Sequence, residues 1–413
     1  MLTEHFSPNP TSAQRCRVGP LASDIDGFAA RLRVQGYVPS TARAKLRLVT
    51  AISLWLEHEN LDVEVLDERQ VEAFLLSRGA HRSTRGEATT IRQLLSYLRE
   101  NDRIPASPPS PNNDSTMKRL EEAYERFLVC ERGLTSATVE NYLPTVHTFL
   151  TERFGTEVAQ LDQLVAQDAN RFVLRHAQHF SRARTKLIVT ALRSFLRFAH
   201  QRGDIPVDLA SAVLPAMHWR LSGLPKSLAP EQVESMLASC DRRTSIGRRD
   251  YAILLLLARL GLRAGEVVAI TLDDLDWNTG LVTVSGKGQR REPLPLPHEV
   301  GEALVDYLRY VRPACTTRRL FVRLFAPHRG FASSVAICNV VRRALTRAGI
   351  DPPFKGSHVL RHSLATNMLR RGASLEEIGQ LLRHRHPQTT QIYAKVDLEQ
   401  LRTLAQPWPG GVL

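Results

Sequence analysis

The chain has 413 residues, with 55 Lys and Arg against 42 Asp and Glu and a formal charge of +13; it is too long for one compact core, and its basic excess implies a polyanionic partner. Its five cysteines (Cys16, Cys130, Cys240, Cys315, Cys338), odd in number and scattered, exclude a disulfide framework and a zinc-ligand spacing. The longest apolar run, 252–258, is far too short to span a bilayer. The opening Met1-Leu2-Thr3-Glu4-His5 shows no basic stretch leading into an apolar one, so the expectation is a cytoplasmic protein, and its Arg-over-Lys, Ala-rich usage is that of a GC-rich bacterial gene. Residues 220–413 hold 28 Lys and Arg against 17 Asp and Glu, whereas residues 21–105 hold 12 of each. A polybasic membrane-surface segment is the competing reading of such charge, but no amphipathic or lipidated anchor accompanies it.

After a tail over 1–20, the first half carries a weak internal repeat. Gly36-Tyr37-Val38-Pro39-Ser40-Thr41 recurs as Gly133-Leu134-Thr135-Ser136-Ala137-Thr138, each followed by an amphipathic stretch, 42–58 and 139–153. Val65-Leu66-Asp67 aligns with Gln160-Leu161-Asp162, and a further helix-like segment follows each, ending at Arg78 or Arg175. Last helices over about 89–100 and 185–201 close with Asn101-Asp102-Arg103-Ile104-Pro105 and Arg202-Gly203-Asp204-Ile205-Pro206. The two copies read as four-helix units at 21–106 and 117–206, joined by a Pro-rich linker over 107–116.

A second linker covers 207–226, and a last domain runs from 227 to 413. It starts at a helix capped by Ala229-Pro230-Glu231, continues with a helix over 250–260 that stops at Gly261, and then forms two strands, Leu281-Val282-Thr283-Val284 and Glu292-Pro293-Leu294-Pro295-Leu296, around a Gly-rich turn. The remainder reads as helices broken at Gly330, Pro352-Pro353, Gly372 and Pro387.

Within this last domain the chemistry-bearing residues come in a fixed order: Arg263 and Glu266 in Leu260-Gly261-Leu262-Arg263-Ala264-Gly265-Glu266, Lys287 in Gly286-Lys287-Gly288, His358 and Arg361 in His358-Val359-Leu360-Arg361-His362, His384 after Leu381-Leu382-Arg383, and Tyr393 after Thr389-Thr390-Gln391-Ile392. Taken singly, each arginine reads as a surface ion pair, each histidine as a core residue, and Tyr393 as a packed aromatic. Taken together, the set resembles the active site of the tyrosine recombinases, the phage-integrase and Xer family. The implied fold is mainly α and multidomain: two helical SAM-like N-terminal domains, then a catalytic domain that is mixed α/β, mostly helical with a small antiparallel sheet. The family's minimal members need one helical domain, so the copy at 21–106 is an addition, expected to bind neighbouring (arm) DNA or another protomer.

The chemistry suits the residue types. Breaking a phosphodiester passes through a dianionic five-coordinate state, and two guanidiniums, Arg263 and Arg361, offer planar bidentate donors that stay charged. Arg263 is expected beside a helix start, where backbone N–H groups also favour an anion. His358 shares a helical face with Arg361 at i,i+3 and can bond phosphate or assist proton transfer. Glu266 is placed to fix Arg263 or His358. The resemblance gives Lys287 the role of general acid at the leaving 5′-oxygen, His384 a place in the closing motif, and Tyr393 that of nucleophile. It implies no cofactor and no metal. His362 and His386 read as core or solvent residues. The family usually has Gly where this chain has Arg383; the expectation is a slightly altered turn, with Arg383 adding a phosphate contact.

Duplex DNA is the expected partner. Arg182, Arg184 and Lys186, following Ser181 in the second copy, together with Arg290 and Arg383, are the expected DNA contacts. The segment after Tyr393, with Leu398, Leu401 and Leu404 at helical spacing, is too short to stand alone; the resemblance implies that it packs into a neighbouring protomer of a tetramer on two duplexes, and packing on its own domain is the alternative. Strand exchange through a 3′-phosphotyrosine for integration, excision or transposition of a mobile element is the leading reading. Xer-type chromosome dimer resolution, a type IB topoisomerase and a catalytically silent DNA-binding factor are the alternatives, and the absence of an evident Asp/Glu triad disfavours a DDE transposase.

Overall fold

A computed structural model describes residues 14–78, 85–106, 116–155, 160–215, 225–286 and 290–396. The chain divides into two compact units, one of residues 106–222 and one that joins residues 1–105 with 223–413.

The unit of 106–222 is a four-helix bundle: α5 (Thr116–Arg126), extended by a π-helical turn over Phe127–Glu131, α6 (Ser136–Phe154), α7 (Ala166–Ala177) and α8 (Arg182–Gln201). An aromatic cluster of Tyr124, Phe127, Phe195 and Phe198 fills its centre, with ring centroids 5.1–6.4 Å apart. Helix α8 begins where the Ser181 hydroxyl accepts the Arg184 N–H at 3.4 Å. Pro144 sits inside α6, and the Thr148 hydroxyl donates to its carbonyl at 2.8 Å.

The N-terminal part of the other unit is built alike, from α1 (Ile25–Val34), α2 (Pro39–His58), α3 (Glu68–Ser77) and α4 (Arg85–Glu100) around its own apolar cluster. The repeat read from the sequence is geometric: Gly36 and Gly133 both take positive φ, as do Asp102 and its counterpart Gly203, and Ile104 and Ile205 are both buried. One stretch of the sequence alignment slips. The 3-10 turn Val63–Val65 corresponds to Leu161–Gln163, so Asp67, whose carboxylate accepts the N–H groups of Arg69 and Gln70, matches Val165 at the start of α7 and not Asp162. Polar caps at different places misled the comparison, because the two loops enter their third helices with different chemistry. A contact inside this unit links copy one to the later part: the His328 N–H donates to the Gln35 carbonyl at 2.9 Å.

The 223–413 part is organised around α10 (Ser245–Arg259), whose run 252–258 is buried on every side. A helix that is apolar all round must be a core helix. It packs against α9 (Pro230–Ala238), α11 (Ala264–Ala269), α12 (His298–Tyr310), α13 (Val335–Arg347) and α14 (His358–Arg370). Helix α10 starts five residues earlier than the apolar pattern implied, because the Thr244 hydroxyl caps it by accepting the Gly247 N–H at 3.0 Å. The two expected strands are β2 (Leu281–Ser285) and β3 (Arg291–Pro295), antiparallel with Val282 opposite Leu294, and a two-residue β1 (Leu275–Asp276) adds an edge the sequence reading missed. Helix α15 (Leu375–Leu381) and a 3-10 segment, Gln391–Val396, follow α14. The linker over 107–115, Lys287 and the segment from 397 onward lie outside the described residues. Among those described, no helix is long and apolar enough to cross a membrane.

Candidate active site

Helix α10 gives way to a turn at Gly261, at φ = 58°, and α11 begins three residues later, at Ala264. That reversal brings Arg263 to the start of α11. Glu266 fixes it twice: Oε2 accepts the Arg263 backbone N–H at 2.8 Å and Oε1 accepts Nη1 at 2.7 Å. Glu266 is buried, while the Arg263 side chain stays 37% exposed, so its guanidinium is anchored at one edge and open at the other.

Arg361, on α14, is buried. Its Nη1 donates to the Gly261 carbonyl and its Nη2 to the Leu382 carbonyl, which ties the ends of α10 and α15 to α14. Burial, followed by repulsion from Arg263, pulls this guanidinium down to about 10, so it remains charged at neutral pH. His358, at the first turn of α14, keeps a solvent-exposed edge; the protein around it, then Arg361 and Arg263, push its imidazole below the ordinary value.

His384 and Tyr393 are set by the turn after α15. The His384 Nδ1 pairs with the Thr390 hydroxyl at 2.8 Å, and the Tyr393 N–H donates to the Thr390 carbonyl at 3.0 Å, so the second threonine of the Thr389-Thr390 pair orients both residues. Desolvation, then Arg361 and Arg263, push His384 down to about 4. The Tyr393 ring lies in a small apolar cluster with Ala365, Ile378 and Leu382 and is 1% exposed. Burial raises its phenol to about 12, against the pull of Arg361 and Arg263.

The sequence reading missed the partner of that phenol. His362, assigned there to core or solvent, is half-buried, and its Nδ1 lies 2.9 Å from the Tyr393 hydroxyl. Desolvation, then His358 and Arg361, hold His362 at about 4, so at neutral pH the uncharged imidazole can accept the phenolic proton in a hydrogen bond. A usable signal was present: His358 and His362 stand at i,i+4, on one face, with ring centroids 6.5 Å apart.

Arg383 is a second correction. The altered turn that was expected is not formed: Arg383 itself takes φ = 52°, in the left-handed region. Its side chain points inward to Glu266, Nη2 donating to Oε2 at 2.6 Å, and is 7% exposed. Glu266 therefore bonds Arg263 and Arg383, and none of its bonds goes to His358.

Elsewhere, Arg290 is exposed beside the β2–β3 turn, which closes with the Gly286 N–H on the Arg290 carbonyl at 2.8 Å. In the 106–222 unit, Arg182 and Lys186 are exposed near the start of α8; Arg184 is half-buried, its Nη1 donating to the Asn141 side-chain Oδ1 at 3.4 Å. An open groove of about 640 Å³ in the other unit is lined by Arg249, Arg323, Arg329, Arg342 and Arg343. Among the described residues no cluster of His, Cys, Asp and Glu has metal-binding geometry.

The depressed imidazoles make a pH prediction. His362 and His384 are neutral in the folded chain down to about 4, whereas in the unfolded chain they take up protons near 6.5. Between those values the unfolded state binds more protons, so stability is full above about 6.5 and is lost as pH falls toward 4. Each residue contributes at most about 1.4 kcal/mol per pH unit, and less where solvent reaches the ring. The thermal midpoint should drop between pH 7 and 4.5, and His362→Gln should flatten part of that slope; a profile unchanged by the substitution would contradict it.

Two family domains match the chain: the phage integrase family over residues 226–400, and the phage integrase N-terminal SAM-like domain over 122–203. An integrase/recombinase of Sinorhizobium fredii, y4rA, is 45% identical over 392 residues, 95% of each chain. The tyrosine recombinase XerD of Listeria monocytogenes is 32% identical over 286 residues, 68% of this chain and 95% of its own. Among solved structures, the XerH site-specific recombinase bound to a palindromic difH substrate aligns with a TM-score of 0.54 at 18% identity, over 81% of this chain and 93% of that one. A lambda integrase tetramer bound to a Holliday junction aligns at 0.51 and 18% identity, over 76% and 87%. The buried tyrosine, its arginines and histidines, and the helical domain before them thus have one common explanation: this chain is a DNA recombinase and belongs to the tyrosine recombinases of the phage-integrase family.

Proposed function

We propose that the chain cuts and rejoins DNA through Tyr393. The observation that carries this is the Tyr393 hydroxyl, held 2.9 Å from the uncharged His362 and beside the charged Arg361. Tyr393 Oη attacks the scissile phosphorus, the bond from phosphorus to the 5′-oxygen breaks, and a 3′-phosphotyrosine and a 5′-hydroxyl result. The phenolic proton passes to His362, and the departing 5′-oxygen takes a proton from Lys287. A 5′-hydroxyl of the partner duplex then reverses the step, so the phosphoester bond energy is kept. In the resting site the gap between about 12 for the phenol and about 4 for the imidazole forbids transfer. Burial, then His358 and Arg361, depress His362; a bound phosphate offsets the charge of Arg361 and narrows that gap. Arg263 and Arg361 hold the non-bridging oxygens, with His358 and His384 as further donors.

The biological setting that fits best is movement of a mobile element. The y4rA relative, named as an integrase/recombinase, aligns over 95% of this chain, whereas XerD aligns over 68%, although 95% of XerD itself is matched. A match that extends over the additional N-terminal copy in y4rA, against an XerD matched almost throughout by two thirds of this chain, supports that reading. Four protomers on two duplexes, joined through the segment after Tyr393, complete the reading, with the second helical copy on the core site and the first on neighbouring DNA or another protomer. Mapping the protein-linked DNA junction in the host tests it: junctions at the ends of a mobile segment are expected, and a single chromosomal site would favour dimer resolution instead.

The duplex is gripped in part by the first turn of α8. Neutralising Arg182, Arg184 and Lys186 should lower affinity and flatten the dependence of log K on log salt by up to about 0.9 per lost phosphate contact. An unchanged slope would remove that helix from the interface.

A further inference from the structure

Arg383 has no role in the reaction as written, yet its environment is costly to build. It occupies the left-handed backbone region, at φ = 52°, which disfavours any side chain. Its side chain is nevertheless only 7% exposed. Nη2 donates to Glu266 Oε2 at 2.6 Å, and Nε faces Glu292 Oε2 at 3.9 Å, beyond hydrogen-bond reach. Nε and Nη1 are buried without a hydrogen-bond partner. A buried guanidinium left half-satisfied in a strained turn persists only where its surroundings over-determine it.

The surroundings are the anchor of Arg263. The Glu266 oxygen that Arg383 engages also accepts the Arg263 backbone N–H, and its other oxygen accepts the Arg263 guanidinium. One buried carboxylate therefore serves two arginines. Glu266 alone would orient Arg263 but would also cancel its charge, because a carboxylate 2.7 Å from a guanidinium opposes any anion the guanidinium is meant to hold. A second guanidinium on the same carboxylate restores one net positive charge to the trio and locks the carboxylate from the side away from Arg263. The covalent connection is short: Arg383 immediately precedes His384, and the carbonyl of Leu382, just before it, accepts Arg361.

We propose that Arg383 is a positioning residue for strand cleavage, acting through Glu266 to fix Arg263 and to leave its charge available to the scissile phosphate. The role rests on the reaction proposed above. Direct contact of Nε and Nη1, which make no hydrogen bond in the protein, with DNA is the rival account, and the two differ in how Arg383 and Glu266 combine.

The test uses the full-length chain and a suicide half-site taken from the mapped junction, with single-turnover adduct formation and half-site affinity measured separately. Arg383→Gly suits the backbone and removes the guanidinium. It should slow adduct formation on the order of 10²-fold, as expected for an approximately 1 Å misplacement of a catalytic group, with affinity changed less than about threefold. Because Arg383 acts through Glu266, the double variant Arg383→Gly with Glu266→Gln should be no slower than Glu266→Gln alone. Additive losses, or equal losses of rate and affinity, would overturn the proposal in favour of direct contact. A second readout needs no substrate. His384 is faced by Arg361 and His362 of α14, by Arg263, by Arg383 and by the Thr390 hydroxyl; burial first, then the arginines and His362, lower its titration. Ring titration by NMR should move upward in Arg383→Gly, and an unmoved His384 would place the guanidinium outside the pocket and sink the idea. If Arg383→Gly loses its cooperative melt, Arg383→Lys carries the same test: it keeps the charge with a single contact and should show a smaller rate loss with His384 unshifted. A wild-type chain that forms no adduct would refute the underlying reaction; a wild-type chain that does, with Arg383→Gly equally fast, refutes this inference alone.

Discussion

Tyr393→Phe should bind its DNA as the wild type does and form no covalent adduct. The tyrosine ring already lies in an apolar cluster and is 1% exposed, so phenylalanine keeps the packing and loses one hydroxyl. The structural loss is the hydrogen bond to His362, on the order of 1 kcal/mol, which is small beside the removal of the nucleophile itself. Trapping on a nicked half-site followed by denaturing electrophoresis reads the result directly. A protein–DNA adduct surviving in this variant would show that another residue attacks.

The arginines should separate catalysis from stability. Arg263→Ala and Arg361→Ala should each reduce cleavage by about 10² or more, the loss seen when a preorganised transition-state donor is removed. Their effects on folding should differ. Arg263 is partly open, and Glu266 keeps Arg383 as a partner when Arg263 is gone, so that variant should melt close to the wild type. Arg361 is buried and bonds the carbonyls of Gly261 and Leu382; truncation leaves both without that donor, at roughly 1–3 kcal/mol each, together with a cavity. Arg361→Ala should therefore lower the thermal midpoint as well as the rate. If both variants lose affinity as much as rate, the guanidiniums are ground-state phosphate contacts and not transition-state donors. Activity should also survive EDTA, and inhibition by the chelator would require a different mechanism.

The residues that carry local chemistry were legible in the chain alone. The apolar run in α10, the helix breaks at Gly261 and Gly372, the strand pair around a Gly-rich turn and the four-helix repeat follow from periodicity and turn chemistry, which act over a few neighbouring residues. The order of Arg263, His358, Arg361, His384 and Tyr393 was likewise visible, because each stands in a short motif of its own. Tertiary structure decided what those motifs do to one another. Arg361 looked like a phosphate ligand and is also a bolt between two helix ends 100 and 21 residues away in sequence. His362, beside it on the same helix, is bonded to a tyrosine 31 residues on. Arg383 was read as a phosphate contact at a slightly altered turn, yet it takes a left-handed backbone and bonds a carboxylate 117 residues earlier. The physical reason is common to all three. Backbone periodicity is set by near neighbours, but the partner of a buried charge or polar group is set by which distant atoms share its low-dielectric surroundings, and that depends on how the helices pack.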